Sequence, residues 1–280
     1  MSLQLGPHRL DALETGTFSL DGGAMFGIVP KALWERKLAA DALNRVPLAA
    51  RCLLIRTAGR VILVDVGLGE QWSGKERGLY GIDSPTRNLD TELARVGLRR
   101  VDVTDVILTH LHFDHAGGAL DASGELAFPS ATYHLQRRNW TWASHPSERD
   151  RGSYRAQTFA RLGTSGALHL LEGETELFPG VHLILSEGHT VALQLVRVES
   201  EEGWLTFCAD LIPTTAHLAP AWSMSYDLHP LAVLEEKKML VAEAIEERGI
   251  LFFEHDPIVQ ACRVREEGGE VVVAEKVSLS

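Results

Sequence analysis

Residues 110–115 read His-Leu-His-Phe-Asp-His, three imidazoles and one carboxylate within six positions. Imidazole and carboxylate together suit zinc and related divalent ions, so the run reads as a metal site. Just before it, Val103 to Thr109 is rich in β-branched and apolar residues, which predicts a buried strand. Residues two apart on an extended chain point the same way, so His110 and His112 at the strand's end reach one ion from one side. Asp114 and His115 then face another direction, and Gly117-Gly118 suits a tight turn into a helix. Four ligands this close crowd a single ion, and the pattern predicts two neighbouring ions.

Three later apolar runs each end in a further candidate ligand. Leu183 to Thr190 closes on Gly188-His189-Thr190, Trp204 to Asp210 closes on Asp210, and Ile250 to Pro257 carries His255 ahead of an Asp-Pro turn. Strand ends that meet along one sheet edge are where α/β proteins build their sites. Singly, His189 or His255 is an ordinary loop histidine. In this order after the first motif they form a specific constellation.

That order, His-x-His-x-Asp-His, then Gly-His-Thr, then a strand-end Asp, then a late His, resembles the metallo-β-lactamase superfamily, with all seven ligand positions filled. The resemblance runs from about Cys52 to Asp256. It implies an α/β fold, a four-layered αβ/βα sandwich of two mixed sheets flanked by helices, with residues 1–280 as a single domain. By the same resemblance His110, His112 and His189 hold one metal, Asp114, His115 and His255 hold the second, and Asp210 bridges them. Arg60 to Gly67 resembles the family's strand with an Asp-x-Gly turn, so Asp65 is expected to brace the site without binding metal. The implied chemistry is attack by a metal-bridging hydroxide on a carbonyl or phosphorus, with Asp114 positioning the hydroxide and carrying a proton. Two divalent ions per chain are expected, zinc foremost, with manganese, iron or cobalt compatible with the same donors. No Gly-x-Ser-x-Gly elbow offers a serine nucleophile.

Composition narrows the partners. The 280 residues carry 27 Lys and Arg against 38 Asp and Glu, a formal net charge of -11. A nucleic-acid substrate calls for clustered basic residues, and the nearest, Arg137-Arg138 and Arg149-Asp150-Arg151, read as solvated helix or loop charges. No linker, repeat or charge block divides the chain. No basic-then-apolar leader opens it and no run approaches about eighteen apolar residues, so neither export nor a membrane span is expected. Cys52, Cys208 and Cys262 lie in or beside apolar runs, which predicts buried free thiols in a cytoplasmic enzyme. Leu231 to Glu247 has helical spacing, with Leu231, Leu234, Met239, Ala242 and Ile245 as the expected core-facing stripe.

The stretches Asp210-Leu-Ile-Pro-Thr214 and Gly22 to Lys31 are similar to the branch of the superfamily that holds quorum-quenching lactonases and organophosphate hydrolases. Two features depart from it. The lactonases place a Tyr three residues after the bridging Asp, where it holds the lactone carbonyl; here that residue is Pro213, which has no donor. They also read His-Thr-Pro-Gly-His where this chain reads His189-Thr190-Val191-Ala192-Leu193. The expected function is binuclear hydrolysis of a lactone, ester or phosphotriester, with Tyr226, His217 or Thr214 as the replacement donor. Met25, Phe26, Trp34, Trp222, Met224 and Tyr226, in irregular stretches, together with His217 and His229, are the candidate lining for an acyl or aryl group. The Met25 to Trp34 segment is also a candidate homodimer contact. His8, His134, His145, His169 and His182 read as structural or surface residues. The alternative function is an iron-dependent, dioxygenase-like oxidoreductase of the same fold, which shares the early motif.

Overall fold

The computed structural model describes residues 2–82 and 87–279. Its first sheet joins β1 (Leu3–Leu5), β2 (His8–Asp21), β3 (Arg45–Thr57), β4 (Arg60–Val64), β5 (Asp105–Ile107), β6 (Thr132–Gln136) and β7 (Leu168–Leu171) in chain order. Pairing is antiparallel from β1 to β4 and parallel from β4 to β7. The second sheet joins β8 (Thr175–Phe178), β9 (Val181–Ser186), β10 (Leu193–Ser200), β11 (Gly203–Phe207), β12 (Ile250–Phe252), β13 (Ala261–Glu267) and β14 (Glu270–Val277), again in chain order. Among the described residues, β11 and β12 are the one parallel pair there. Helices α1 (Gly22–Phe26), α2 (Lys31–Trp34), α3 (Gly74–Tyr80), α4 (Leu89–Arg95), α5 (Phe113–Ala116), α6 (Arg137–Ser144), α7 (Ala156–Thr164) and α8 (Pro230–Glu246) flank the two sheets. The expected sandwich of two mixed sheets is the one observed.

Strand alternation explains the layering. On β3, Leu53 and Ile55 join Leu205, Phe207 and Phe252 in the core between the sheets. Their neighbours Cys52 and Leu54 point the other way and pack with Leu93 of α4, Ala143 of α6 and Leu162 of α7. Both faces of these strands are therefore dry, and their sequences read as near-continuous apolar runs. Cys52, Cys208 and Cys262 are buried and unbridged. Among the described residues no helix is long and apolar enough to cross a membrane.

Two local expectations change. Helix α8 buries Val233, Lys237, Leu240, Val241 and Ala244, while Leu231 and Met239 are 80% and 66% exposed and Ala242 also faces solvent. The apolar stripe is thus rotated from the one expected. A lysine occupies the buried face, its ammonium donating to the Trp222 carbonyl at 2.7 Å, and that substitution hid the true phase of the helix. Near the first motif, β5 ends at Ile107 and Thr109–His112 is irregular; α5 then starts at Phe113, ahead of the glycines rather than after them. Gly117 and Gly118 serve close packing instead. A Cβ on Gly117 would lie 2.3 Å from the Leu68 carbonyl oxygen, and one on Gly118 only 2.1 Å from that of Val66.

This contact clamps the ligand-bearing turn to the loop after β4. Gly118→Ala is expected to force the two backbones apart, costing about 3 kcal/mol of stability and lowering metal content. Urea unfolding with elemental analysis of the purified variant checks both, and an unchanged midpoint would show that the loop yields freely.

Candidate metal centre

Five strands deliver the candidate ligands and the acids behind them to one end of the sandwich. Asp65 follows β4, His110 and His112 follow β5, His189 follows β9, Asp210 follows β11, and Glu254 and His255 follow β12. Asp114 and His115 sit on the single turn of α5. Two residues beside these strand ends adopt positive φ, Asp65 at 54° and Ala209 at 43°. Asp tolerates that conformation, but for Ala it stores strain that the surrounding packing must hold.

The side chains converge in three groups, of which the third joins Asp65 and Glu254 to His115. One ligand atom each from His110, His112, His189 and Asp210 lie within 4.8 Å of one another, and Asp114, His115 and His255 form a second such group. Asp210 reaches both, with carboxylate oxygens 3.1 Å from His189 Nε2, 3.8 Å from His110 Nε2, 3.2 Å from His255 Nε2 and 3.4 Å from His115 Nε2. His110 Nε2 and Asp210 Oδ1 are buried without a hydrogen-bond partner, and His112 turns Nδ1 to within 3.1 Å of His189 Nε2. Imidazole nitrogens and a carboxylate oxygen crowded together in this way fit divalent cations of the zinc class.

Supporting contacts fix the rings from behind. Asp65 accepts from the Thr109 backbone N–H and hydroxyl, both at 2.7 Å, and lies 3.0 Å from His115 Nδ1. Asp227 sits 2.9 Å from His189 Nδ1, and His255 Nδ1 donates to the Ala49 carbonyl at 2.8 Å. Asn139 accepts from Leu111 N–H and donates to the Val191 carbonyl, tying two ligand loops together. Asp227 and Glu254 were not singled out from sequence. Glu254 had a signal, a carboxylate beside a ligand at the end of an apolar strand; Asp227 had none beyond its place in an irregular stretch.

A cavity of about 290 Å³ opens on Asp114, His112, His189, Asp210 and His255. Met25, Met224 and Tyr226 line it as expected, joined by Leu20, Leu48, Tyr80, Phe113 and Arg149. The other expected lining residues are elsewhere. Phe26 is fully buried between Trp34, at 5.3 Å, and His217, at 4.9 Å, with Trp222 edge-on at 5.7 Å. His217 spends both nitrogens, one toward the Thr214 hydroxyl and one on the Met25 carbonyl, and His229 is exposed. These aromatics are core packing behind the cavity wall, and Met25, Phe26 and Trp34 stand on α1 and α2 rather than in irregular chain. Within the segment expected at a dimer contact, they are buried inside their own chain, whereas Ile28 and Leu33 are exposed. Arg149 is exposed in a turn, as the solvated-charge reading expects, but it has a further place. It lines the cavity and donates to the Ser225 and Asp227 carbonyls. Arg137 and Arg138 pair with Glu172 and Glu187.

Comparison with known proteins gives this arrangement a family. The sequence profile of the metallo-beta-lactamase superfamily matches residues 45–258. The chain belongs to the metallo-beta-lactamase superfamily. An N-acyl homoserine lactonase of Bacillus cereus is 29% identical over 224 residues, covering 76% of this chain and 83% of the relative. A probable metal-dependent hydrolase from Staphylococcus aureus has a similar structure, with a TM-score of 0.88, 30% identity and coverage of 98% of this chain and 100% of that one. An N-acyl homoserine lactone hydrolase with N-hexanoyl-L-homoserine bound at its catalytic metal centre superposes with a TM-score of 0.68 at 25% identity, covering 89% and 93% of the two chains. The chain is therefore a metal-dependent hydrolase of this superfamily, related to lactonases.

The electrostatics of this metallo-beta-lactamase site predict how it takes up metal. Burial holds His110 and His112 well below the ordinary histidine value, and neighbouring imidazoles add to the shift. Burial pulls His189 and His255 the same way, but the Asp210 carboxylate outweighs it and both end at about 9. At His115 burial is likewise outweighed, by the Glu254 and Asp210 carboxylates, and the ring is held well above the ordinary value. A histidine ligates only as the neutral ring, so below pH 9 metal must displace protons from these three residues. Affinity is therefore expected to rise with pH up to about 9 and to fall on acidification, by about tenfold per pH unit for each displaced proton. Competition against a chromophoric chelator across pH 6 to 9 measures the slope, and a flat profile would show that none of the three is protonated in the metal-free chain.

Proposed function

We propose that this hydrolase opens lactones or cleaves aryl esters and phosphotriesters, using two divalent ions held by His110, His112 and His189 on one side, Asp114, His115 and His255 on the other, and Asp210 between them. The observation that carries the reading is one cavity in which these ligands meet an apolar wall of Leu20, Met25, Leu48, Phe113 and Met224. Such a wall favours an acyl chain or aryl group over a small polar substrate. The lactone-hydrolysing relatives support the same substrate class.

When bound, the ions would supply a hydroxide near neutral pH and polarise the scissile carbonyl or phosphoryl oxygen. The chain's own residues do the rest. Asp114 borders the cavity, where its carboxylate orients the attacking oxygen and takes a proton toward the leaving group. Asp227 holds the His189 ring in place through Nδ1. The apolar wall excludes water from the rest of the substrate.

Pro213 replaces the lactonase tyrosine, and its carbonyl accepts from the His255 N–H at 3.1 Å. Of the three replacement donors, Thr214 and His217 bond to each other away from the cavity. Tyr226 lines it, and burial and the nearby Asp114 carboxylate keep the phenol protonated. We assign the carbonyl donor to Tyr226. Tyr226→Phe is expected to lower kcat/KM about a hundredfold on an unactivated lactone and much less on aryl esters with good leaving groups. Elemental analysis of the wild type should give nearly two ions per chain. At most one ion after metal supplementation would contradict the binuclear reading. Equal losses on lactone and aryl ester would remove the role of Tyr226.

A further inference from the structure

His115 faces the metal ligands with Nε2, which lies 3.4 Å from Asp210 and 3.9 Å from Asp114. Its Nδ1 turns into a closed space where two carboxylates meet it, Asp65 at 3.0 Å and Glu254 at 2.9 Å. A neutral imidazole coordinated through one nitrogen has a single N–H to give. Asp65 is aligned to accept it and is further satisfied by Thr109. Glu254 is fully buried, and neither of its oxygens has an aligned donor. The nearby Arg51 guanidinium is taken by Glu14 at 2.6 Å and by the Phe253 and Asp256 carbonyls at 2.6 and 2.9 Å. Those bonds pin the backbone on both sides of Glu254, so its side chain cannot swing out to water.

The other ligands have weaker backing. His189 has one carboxylate behind it, Asp227, and His255 has the neutral Ala49 carbonyl. Among the described residues, His115 alone has two acids within 3.0 Å of its rear nitrogen. A carboxylate charge sealed from water calls for a positive partner close by. The same charge attracts a cation across the polarisable imidazole and strengthens that ring as a ligand. We propose that Glu254 is the built-in counter-charge for the ion on the His115 side, an assignment that rests on the two-ion reading above. It predicts a selective effect on metal binding: loss of the Glu254 carboxylate weakens the ion on the His115 side and leaves the metal-free fold no less stable.

Glu254→Gln keeps the size of the side chain and removes the charge. The full chain is stripped with a chelator, and zinc binding is followed by competition with a chromophoric chelator, with thermal unfolding of the stripped and loaded forms beside it. One of the two binding steps should weaken about 10–100-fold while the other is unchanged, and the stripped variant should melt no lower than the stripped wild type. Unchanged binding of both ions by Glu254→Gln would overturn the assignment and leave the two-ion reading intact. A wild type that binds a single ion would overturn the two-ion reading and this assignment with it. Failure of Glu254→Gln to fold without metal would also overturn the assignment, because it requires that fold to tolerate loss of the charge.

Discussion

Four imidazoles converge within 4 Å of the single Asp210 carboxylate, and all five groups are nearly sealed from water. In the chain alone this is an unfavourable assembly. Burial resists every charge, and each protonated ring repels the next. Asp210 is nonetheless held ionised, because the His189 and His115 rings outweigh its desolvation. Divalent cations remove the conflict by replacing protons with charge at the centre of the donors. The rest of the fold can be understood as the rigid frame that keeps these groups together before that happens.

The frame acts through the second nitrogen of the rings. Nδ1 of His115, His189 and His255 each meets an acceptor fixed by the backbone, from Asp65, Asp227 and Ala49. This sets the tautomer and leaves Nε2 facing the interior of the site. The acceptors come from parts of the chain remote from the ligands they serve, so the tautomers depend on the whole sandwich. Ala209 in left-handed backbone beside Asp210 fits the same logic, since a strained turn persists only where packing over-determines it.

The clustering of the candidate ligands was legible from sequence because their chemistry is local and dense. His110 to His115 lie within six residues, and each later candidate ligand follows an apolar run that the fold makes a strand. The wall of the cavity was not legible, because it is made by tertiary packing. Phe26, Trp34, His217 and Trp222 look like pocket residues by type, yet they stack on one another behind the wall. Leu20, Leu48 and Phe113 look like core residues and face the cavity. Helix α8 misled for a related reason. Its buried Lys237 is satisfied by a carbonyl that no periodicity can reveal, so the apolar residues that remained pointed to the wrong face.

One segment joins the substrate wall to the metal frame. Residues 222–227 carry Met224 and Tyr226 on the cavity and Asp227 behind His189. Three anchors from separate elements hold the segment: Lys237 on the Trp222 carbonyl, Arg149 on the Ser225 and Asp227 carbonyls, and the Ala24 carbonyl accepting from Ser225 N–H. Asp227 also accepts from the Met224 N–H, so the acid that orients His189 shapes the turn that presents Met224. A displacement of the wall would therefore pull on a ligand ring, and a change at the ring would reshape the wall. Rates in such sites depend on sub-ångström placement of the reacting groups. Substrate fit and ligand geometry are thus not independent variables in this protein, and divergence toward a new substrate through Met224 or Tyr226 must preserve the Asp227–His189 contact while it alters the cavity.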